Sequence, residues 1–529
     1  MLPCSLKACQ IVVSEPESID DLFARFGPAY RWLVTIAGMT AAFTMVLTAT
    51  IVNVAVPDVM GAFGVGQDKA QFLQTSFITT MTASQLLNAW VVGKLGQRNA
   101  FLGVLTLFLA GALICGFSPS LDGIIVGRIM QGFAAGIVQP LVMVTLFQVF
   151  PSDRRGFAMG IYGIGLMLAL GFGPVIGGIT SDALNWRYIF FMPIPLVLAS
   201  FAMGLIFMPS ERPDGPTKRF DWAGYILLCT ALFCLMTAIG NGQREGWSSD
   251  TILLTIVIGT VAGVSFVVSQ FRAGSSLLEM NLLGNPRFAS AVVVAFVFGA
   301  GNFAITYAIP VFGQLVQGYS PTVAGFLLLP ASLIVVVMLP MTGKLSDSVA
   351  PAYPIIGGLL LFVLGAYLLA DVDINTGFWA VAVFCIVGRF GMAFISPALM
   401  ASAMRSVPTD KLNAGSGTIN FFRQLGGAMG INTLVVALEL RTQFHIDAMT
   451  ATQTAGNAAT RELLGRIEGL LSEGGIPVAI QTPISLNHLG QVLHAQAQTQ
   501  GFQDGFMLIA IVFVIALIPA YILSQARER

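Results

Sequence analysis

Charge is scarce in this chain. Only 10% of its 529 residues are Asp, Glu, Lys or Arg, 26 of each sign, so the net charge is zero. A soluble domain carries about 25%, which excludes an ordinary water-soluble fold. A balanced charge gives no basis for nucleic-acid binding. Histidine is rarer still: His445, His488 and His494 fit no metal-ligand spacing, and no metal site is expected. Of the six cysteines, Cys115, Cys229, Cys234 and Cys385 lie in apolar runs and read as small buried hydrophobes. Cys4 and Cys9 lack metal spacing and fall in a segment expected in the cytoplasm, where disulfides are rare. The first 31 residues hold no signal-peptide apolar core. No phosphate-binding loop or nucleophile–base pattern occurs, so neither an enzyme nor a cofactor is expected.

What is present is apolar. Hydrophobic residues make up 56% of the chain and the mean hydropathy is +0.81. Ionisable residues are absent between Arg31 and Asp58, Lys69 and Lys94, Arg98 and Asp122, Arg155 and Asp182, and in further gaps of similar length to Arg527. A membrane helix needs about 20 apolar residues, and these runs are too long for barrel strands. The run from Arg287 to Lys344 divides at Gln317-Gly-Tyr-Ser-Pro321, a turn signal. The stretches 123–150, 374–402 and 412–438 each contain one arginine: Arg128, Arg389 and Arg423. Together these predict an all-α polytopic membrane protein with 14 transmembrane helices, arranged 6+2+6. Lysine and arginine concentrate in alternate loops, at Lys94/Arg98, Arg154/Arg155, Arg272/Arg287, Lys344 and Arg405/Lys411. By the positive-inside rule both termini are cytoplasmic.

The chain repeats itself. Ile125-Val-Gly-Arg128 recurs as Ile386-Val-Gly-Arg389, and Gly93-Lys-Leu95 as Gly343-Lys-Leu345, in the same order and on the same side. Parallel halves of this kind occur in transporters. The expected divisions are a cytoplasmic segment 1–31, a six-helix bundle 32–208, a linker 209–287 with two extra helices at 222–243 and 251–271, a second bundle 288–524 and a tail 525–529. Within the second bundle, 440–504 reads as an extracytoplasmic loop. Its Leu463-Leu-Gly-Arg-Ile-Glu-Gly-Leu-Leu471 run has helical spacing. It is either an amphipathic helix resting on the outer mouth or a docking site for a periplasmic partner.

One stretch, Gly156 to Gly178, holds eight glycines and a proline without a charge. At 100° per residue Gly160, Gly163, Gly171 and Gly178 share a face, expected to pack closely on a helix of the opposite half near the outer side. Gly173 and Gly177 form a small-xxx-small pair, and Pro174 should let the helix bend.

Arg128 is the costliest residue to insert: a lone arginine within a span costs about 2.5–3.5 kcal/mol on insertion scales and should face a polar cavity. It lies in Gly127-Arg-Ile-Met-Gln131-Gly132. Here the chain resembles the major facilitator superfamily, whose fourth helix carries Arg-x-x-Gln-Gly. Gly171-Phe-Gly-Pro174-Val-Ile-Gly177-Gly178 is similar to that superfamily's antiporter signature on helix five. Asn185-Trp186-Arg187-Tyr-Ile-Phe190 resembles a signature of its export branch, and the extra pair opened by Phe220-Asp-Trp-Ala-Gly224 resembles the fourteen-helix drug:proton antiporters. Gly318-Tyr-Ser and Asn420-Phe-Phe-Arg423-Gln424-Leu-Gly426-Gly427 continue the likeness.

Two acids of the family pattern are missing. The loop after helix two keeps Lys94, Gly96 and Arg98 but has Gly93 at the acidic position, whereas the second copy, Gly343-Lys344-Leu-Ser-Asp347, keeps its acid. These two loops are the expected cytoplasmic gate. At the end of helix one, Leu47-Thr48-Ala-Thr50-Ile51-Val-Asn53 has Thr48 where the family has aspartate. Thr48 is either a harmless replacement, bonding its own helix, or the mark of altered coupling. No Asp or Glu lies inside a predicted span, so Asp58, Asp122, Asp221 and Glu439, near helix ends, are the remaining proton carriers. Arginine cannot titrate. Arg128 could instead bind an anion, or organise waters with Gln131 and Asn53.

The resemblance implies a secondary transporter exporting amphipathic small molecules or drugs by alternating access with proton antiport. A facilitator or uptake symporter with weak coupling is the alternative. It also implies an inner-membrane location and association with a periplasmic adaptor and outer-membrane channel. Arg389, Asn420, Arg423 and Gln424 are the second-half cavity candidates.

Overall fold

The computed structural model describes residues 17–151, 155–210, 220–272, 277–278, 280–408, 411–454 and 456–525. Within them there are helices and turns and no strand. The first part comprises α1 (Ile19–Phe26), α2 (Tyr30–Ile51), α3 (Val56–Phe63), α4 (Gln67–Ala70), α5 (Phe72–Ser84), α6 (Asn88–Leu95), α7 (Gln97–Phe117), α8 (Leu121–Val149), α9 (Arg155–Ala183) and α10 (Ile194–Phe207). The added pair is α11 (Trp222–Glu245) and α12 (Asp250–Arg272). The second part comprises α13 (Pro286–Leu315), α14 (Pro321–Phe326), α15 (Leu329–Ser348), α16 (Ala352–Leu369), α17 (Phe378–Arg405), α18 (Leu412–Ala451), α19 (Ala458–Glu473), α20 (Val478–Ile515) and α21 (Leu517–Gln525).

Thirteen helical segments among the described residues are long and apolar enough to cross a membrane. The stretch 69–94, expected as a single span, is instead the succession α4, α5, a 3-10 turn Gln85–Leu87 and α6. Ser76, Thr80 and Thr82 each turn a hydroxyl back to a carbonyl four residues earlier, which competes with the helical ladder.

The segment 440–504, expected as an extracytoplasmic loop with a helical run at Leu463–Leu471, is helical over most of its length, and that run lies in α19. α18 continues without interruption to Ala451, and α20 begins at Val478, so two long helices project beyond the apolar zone with α19 beside them. Twelve residues past Glu439 add roughly 18 Å at 1.5 Å per residue. Arg441 Nε and His445 Nε2 both meet Asp504 Oδ2, at 2.6 and 2.7 Å, and pin the two projections together at their base. Hydropathy failed here because it reports where lipid ends, not where a helix does.

The repeat has a structural counterpart. A Cβ at Gly127 would stand 2.7 Å from the Gly111 carbonyl, so α8 lies against α7; Gly365 similarly abuts the backbone of Gly388, joining α16 to α17. Thus each Ile-Val-Gly-Arg uses its glycine to touch the preceding helix. Its arginine then reaches toward the first helix of its own half.

On the face bearing Lys94 and Arg98, here called the basic face, Gly96 breaks α6 from α7 at φ +79°, which glycine alone adopts without strain. Arg98 then donates to the carbonyl of Met208 and to Glu17 Oε2, both at 2.7 Å. Glu17, from the segment before the first span, supplies a carboxylate to the loop that lacks one at Gly93. Lys94 lies over the ring of Trp90, 5.0 Å from its centroid, and Trp90 packs on Trp222 at the start of α11. In the second loop, Gly343 has open space around it; the side chains of Lys344 and Asp347 lie outside the described residues.

Candidate functional site

The glycine helix α9 takes its place between the halves. A Cβ on Gly178 would fall 2.3 Å from the carbonyl oxygen of Pro321, and one on Gly171 would fall 2.5 Å from Ser332. Gly325 answers from the other side, 2.3 Å from the Pro174 carbonyl. Gly173 and Gly177 meet the first helix of their own half, at Thr50 and at the Ile51 carbonyl. Pro174 lies inside this close-packed part of the helix. Gly163 departs from the expected face: nothing lies within 4 Å of a Cβ there. Gly160 belongs to α9, but its surroundings lie outside the described residues.

Hydrogen bonds crossing between the halves accumulate on the side away from the basic face. Asn53 Nδ2 donates to the carbonyl of Thr306 at 3.2 Å, and Gln314 Nε2 to that of Val54 at 2.8 Å. The Thr322 amide donates to Asp182 Oδ2, and the Asp68 amide to Glu439 Oε1, each at 2.9 Å. Asn53 is therefore a strut between halves.

Below this seal is a cavity of about 120 Å³. Met81, Met167, Leu170, Phe298 and Phe303 make up much of its apolar wall, and Asn302, Arg389, Arg423 and Gln424 are among its polar groups. Three of these last four, Arg389, Arg423 and Gln424, were among the second-half candidates read from the sequence. Asn420 does not line the cavity. Gln139 and Ser396 do; each is one polar residue in an apolar run, a signal shared with many that face other helices. Gln424 Nε2 donates to Gln85 Oε1 at 3.0 Å across the two halves.

The three lone arginines have different fates. Arg128 is fully buried and does not line this cavity, contrary to the expectation that it faces one. It is held by protein on two of its three nitrogens: Nε donates to the Leu73 carbonyl at 2.7 Å, Nη1 to the Thr48 carbonyl and to Gln131 Oε1 at 3.1 Å, the guanidinium lies 4.2 Å from the Phe77 centroid, and the buried Nη2 has no acceptor. The Thr48 carbonyl is free to accept because α2 gives way to a 3-10 turn at Val52, whose amide turns to Thr50 instead. Thr48 itself bonds back to the Thr44 carbonyl at 2.7 Å, as the first of its two readings expects. Gly132 lets α8 approach α5, since a Cβ there would meet the Phe77 carbonyl at 2.3 Å. Arg389, 6% exposed, donates from Nη1 to Asn302 Oδ1 at 2.8 Å and from Nη2 to Thr306 Oγ1. Arg423 faces the cavity and, among the described residues, makes no hydrogen bond or ion pair.

The helix-end carboxylates also separate. Asp58 accepts from the Ser181 hydroxyl within the first half. Asp122 is exposed at the start of α8. Asp221 caps α11 through the Gly224 amide. Glu439, partly buried, joins the two halves.

Known proteins resemble this arrangement throughout. The Major Facilitator Superfamily profile matches residues 38–431. The "Uncharacterized MFS-type transporter YhcA" of Bacillus subtilis (strain 168) is 27% identical over 503 residues, covering 95% of this chain and 94% of that one. The "Multidrug transporter protein MdtP" of the same organism is 25% identical over 520 residues, covering 94% and 95%. A crystal structure of a POT family transporter in complex with 5-aminolevulinic acid shares the fold, with TM-score 0.63, 13% identity and coverage of 94% and 96%. The paired halves, the cavity between them and the profile match over most of the chain agree: this multi-pass membrane transporter belongs to the Major Facilitator Superfamily.

Proposed function

We propose that the protein exports amphipathic small molecules across the cytoplasmic membrane by alternating access, with proton antiport, both termini lying in the cytoplasm. The observation that carries this reading is the cavity capped by the seal of α9 on the second half. A largely apolar chamber with a few polar groups suits amphipathic cargo, and glycine contacts between rigid helices make a two-position gate. The name of MdtP, a multidrug transporter, points the same way. Export through an outer membrane would need an adaptor, for which the projecting ends of α18 and α20 are the available surface.

The coupling group in this proposal is Glu439. It is the half-buried carboxylate that spans the halves, accepting from the Asp68 amide, while Asp68 faces Arg244 at 3.8 Å. Protonating Glu439 would weaken a charge-assisted bond and so favour parting of the seal. The cavity itself offers no carboxylate among the described residues, and this observation favours a second reading, facilitated diffusion without coupling. Proteoliposomes with an imposed pH gradient distinguish the two. Wild-type protein is expected to accumulate dye against its gradient, and Glu439→Gln to equilibrate it without accumulation. Dye movement by the wild type that ignores the pH gradient rejects coupling, and a Glu439→Gln protein that still concentrates dye rejects this residue.

A further inference from the structure

We infer that the cavity holds an anionic head group, so that the cargo is an amphipathic anion: a carboxylate or sulfonate on an aromatic or aliphatic body. This rests on the exporter reading above and names its substrate class. Two guanidinium groups, of Arg389 and Arg423, line one chamber whose wall has no Asp or Glu among the described residues. Arg128, by comparison, meets two backbone carbonyls, a side-chain oxygen and an aromatic face, and leaves its buried Nη2 without an acceptor. Of the two cavity arginines, Arg423 lacks this provision altogether. Arg389 spends Nη1 and Nη2 on neutral oxygens, and its buried Nε has no acceptor. Arg423 has no acceptor in the described protein, and the nearby Tyr162 hydroxyl donates elsewhere, to the Gln139 carbonyl at 3.2 Å.

Removing a cation from water without a counter-ion is costly. A planar guanidinium pairs best with a carboxylate or other flat anion, through two parallel bonds. An anion entering the chamber would supply the missing charge and the missing acceptors together. The rest of its body would then lie on Phe298, Phe303 and Met392, which also line the cavity. A lipophilic cation of the same size would meet two like charges with nothing to offset them. The same head-group chemistry belongs to a free amphipath and to an anionic phospholipid.

The test uses the full-length protein and three dyes with one fluorophore: dansylglycine as the anion, its methyl ester as the neutral form and dansylcadaverine as the cation. Binding is titrated by fluorescence on protein in phosphatidylcholine nanodiscs, and transport is followed in phosphatidylcholine vesicles. Dansylglycine is expected to bind at least tenfold more tightly than either of the others. Arg423→Gln and Arg389→Gln should each lower the anion-to-cation affinity ratio at least tenfold, and Arg423→Lys should retain an anion preference. Equal binding of the three dyes, or an anion preference undiminished in both glutamine variants, overturns the inference. Because Arg423 is not tied into the packing, a monodisperse elution profile of its variants confirms that they fold. Anion-selective binding without transport supports the inference while rejecting the exporter reading; transport of the cation in preference does the reverse. Adding phosphatidylglycerol separates the two anion sources: loss of dansylglycine binding assigns the head-group site to lipid, and retention assigns it to free amphipaths.

Discussion

Replacing Gly178 by leucine should cut efflux at least a hundredfold while the protein still inserts and accumulates normally. The new Cβ would stand 2.3 Å from the Pro321 oxygen and 2.6 Å from the Thr322 Cα. Both are backbone atoms, so no side chain can swing away. α9 and α14 must separate, and the hydrogen bond from the Thr322 amide to Asp182 goes with them. Overpacking costs about 1–3 kcal/mol and a lost hydrogen bond about 1 kcal/mol. Inverting a two-state balance from 1:99 to 99:1 takes about 5.5 kcal/mol, so this one residue supplies a large share of what would jam the gate open. Gly171→Leu, facing the Ser332 side chain, should act in the same direction but less, because a side chain can yield. Gly163→Ala is the contrast, since it faces open space, and should retain efflux within about twofold. The measurement is dye efflux at matched expression, with a cysteine pair placed across the seal to report closure. Leucine at Gly178 with full activity would show that the contact does not gate transport.

Arg128→Lys should lower transport at least tenfold even though the charge survives. The guanidinium reaches acceptors on α2, α5 and α8 at once, whereas an ammonium is a point donor that cannot span them. Arg128→Met sharpens the test. It leaves the Leu73 and Thr48 carbonyls short of donors, about 1–3 kcal/mol for each buried group left unsatisfied, but removes a buried cation that has no carboxylate partner, a change that is often neutral or stabilising. The two effects oppose each other, so the melting temperature should move little while transport falls. A methionine variant that transports normally would mean that fastening the bent end of α2 is dispensable.

The sequence showed a great deal because the signals were categorical. A lone arginine in an apolar run, a repeated Ile-Val-Gly-Arg and a glycine face at helical spacing survive without knowledge of neighbours. What stayed hidden depended on neighbours. Arg128, Arg389 and Arg423 look alike in hydropathy, yet the first is wrapped in carbonyls and the last faces an open chamber. Glu17 lies 81 positions before Arg98, and nothing local marks it as the missing acid. Glu439 stood at the edge of an apolar run; only a helix continuing to Ala451 places it against Asp68. Gly163 shared a face with Gly171 by angle, but angle carries no information about what stands opposite.

The added helix α11 also bears on how such a molecule can move. Its Met236 carbonyl accepts from Asn432 on α18, and its Gly240 lies against Phe72 on α5. It therefore grips both halves along one side, while α9 and α15 meet on the other side through a seam of small residues. A body gripped at one edge by a third element and closed at the other by a seal that can part need not rock like a seesaw. In the alternating access we propose, it turns about the held edge, as a book opens on its binding, with the widest displacement expected at the fore-edge, where Gly171 and Ser332 lie.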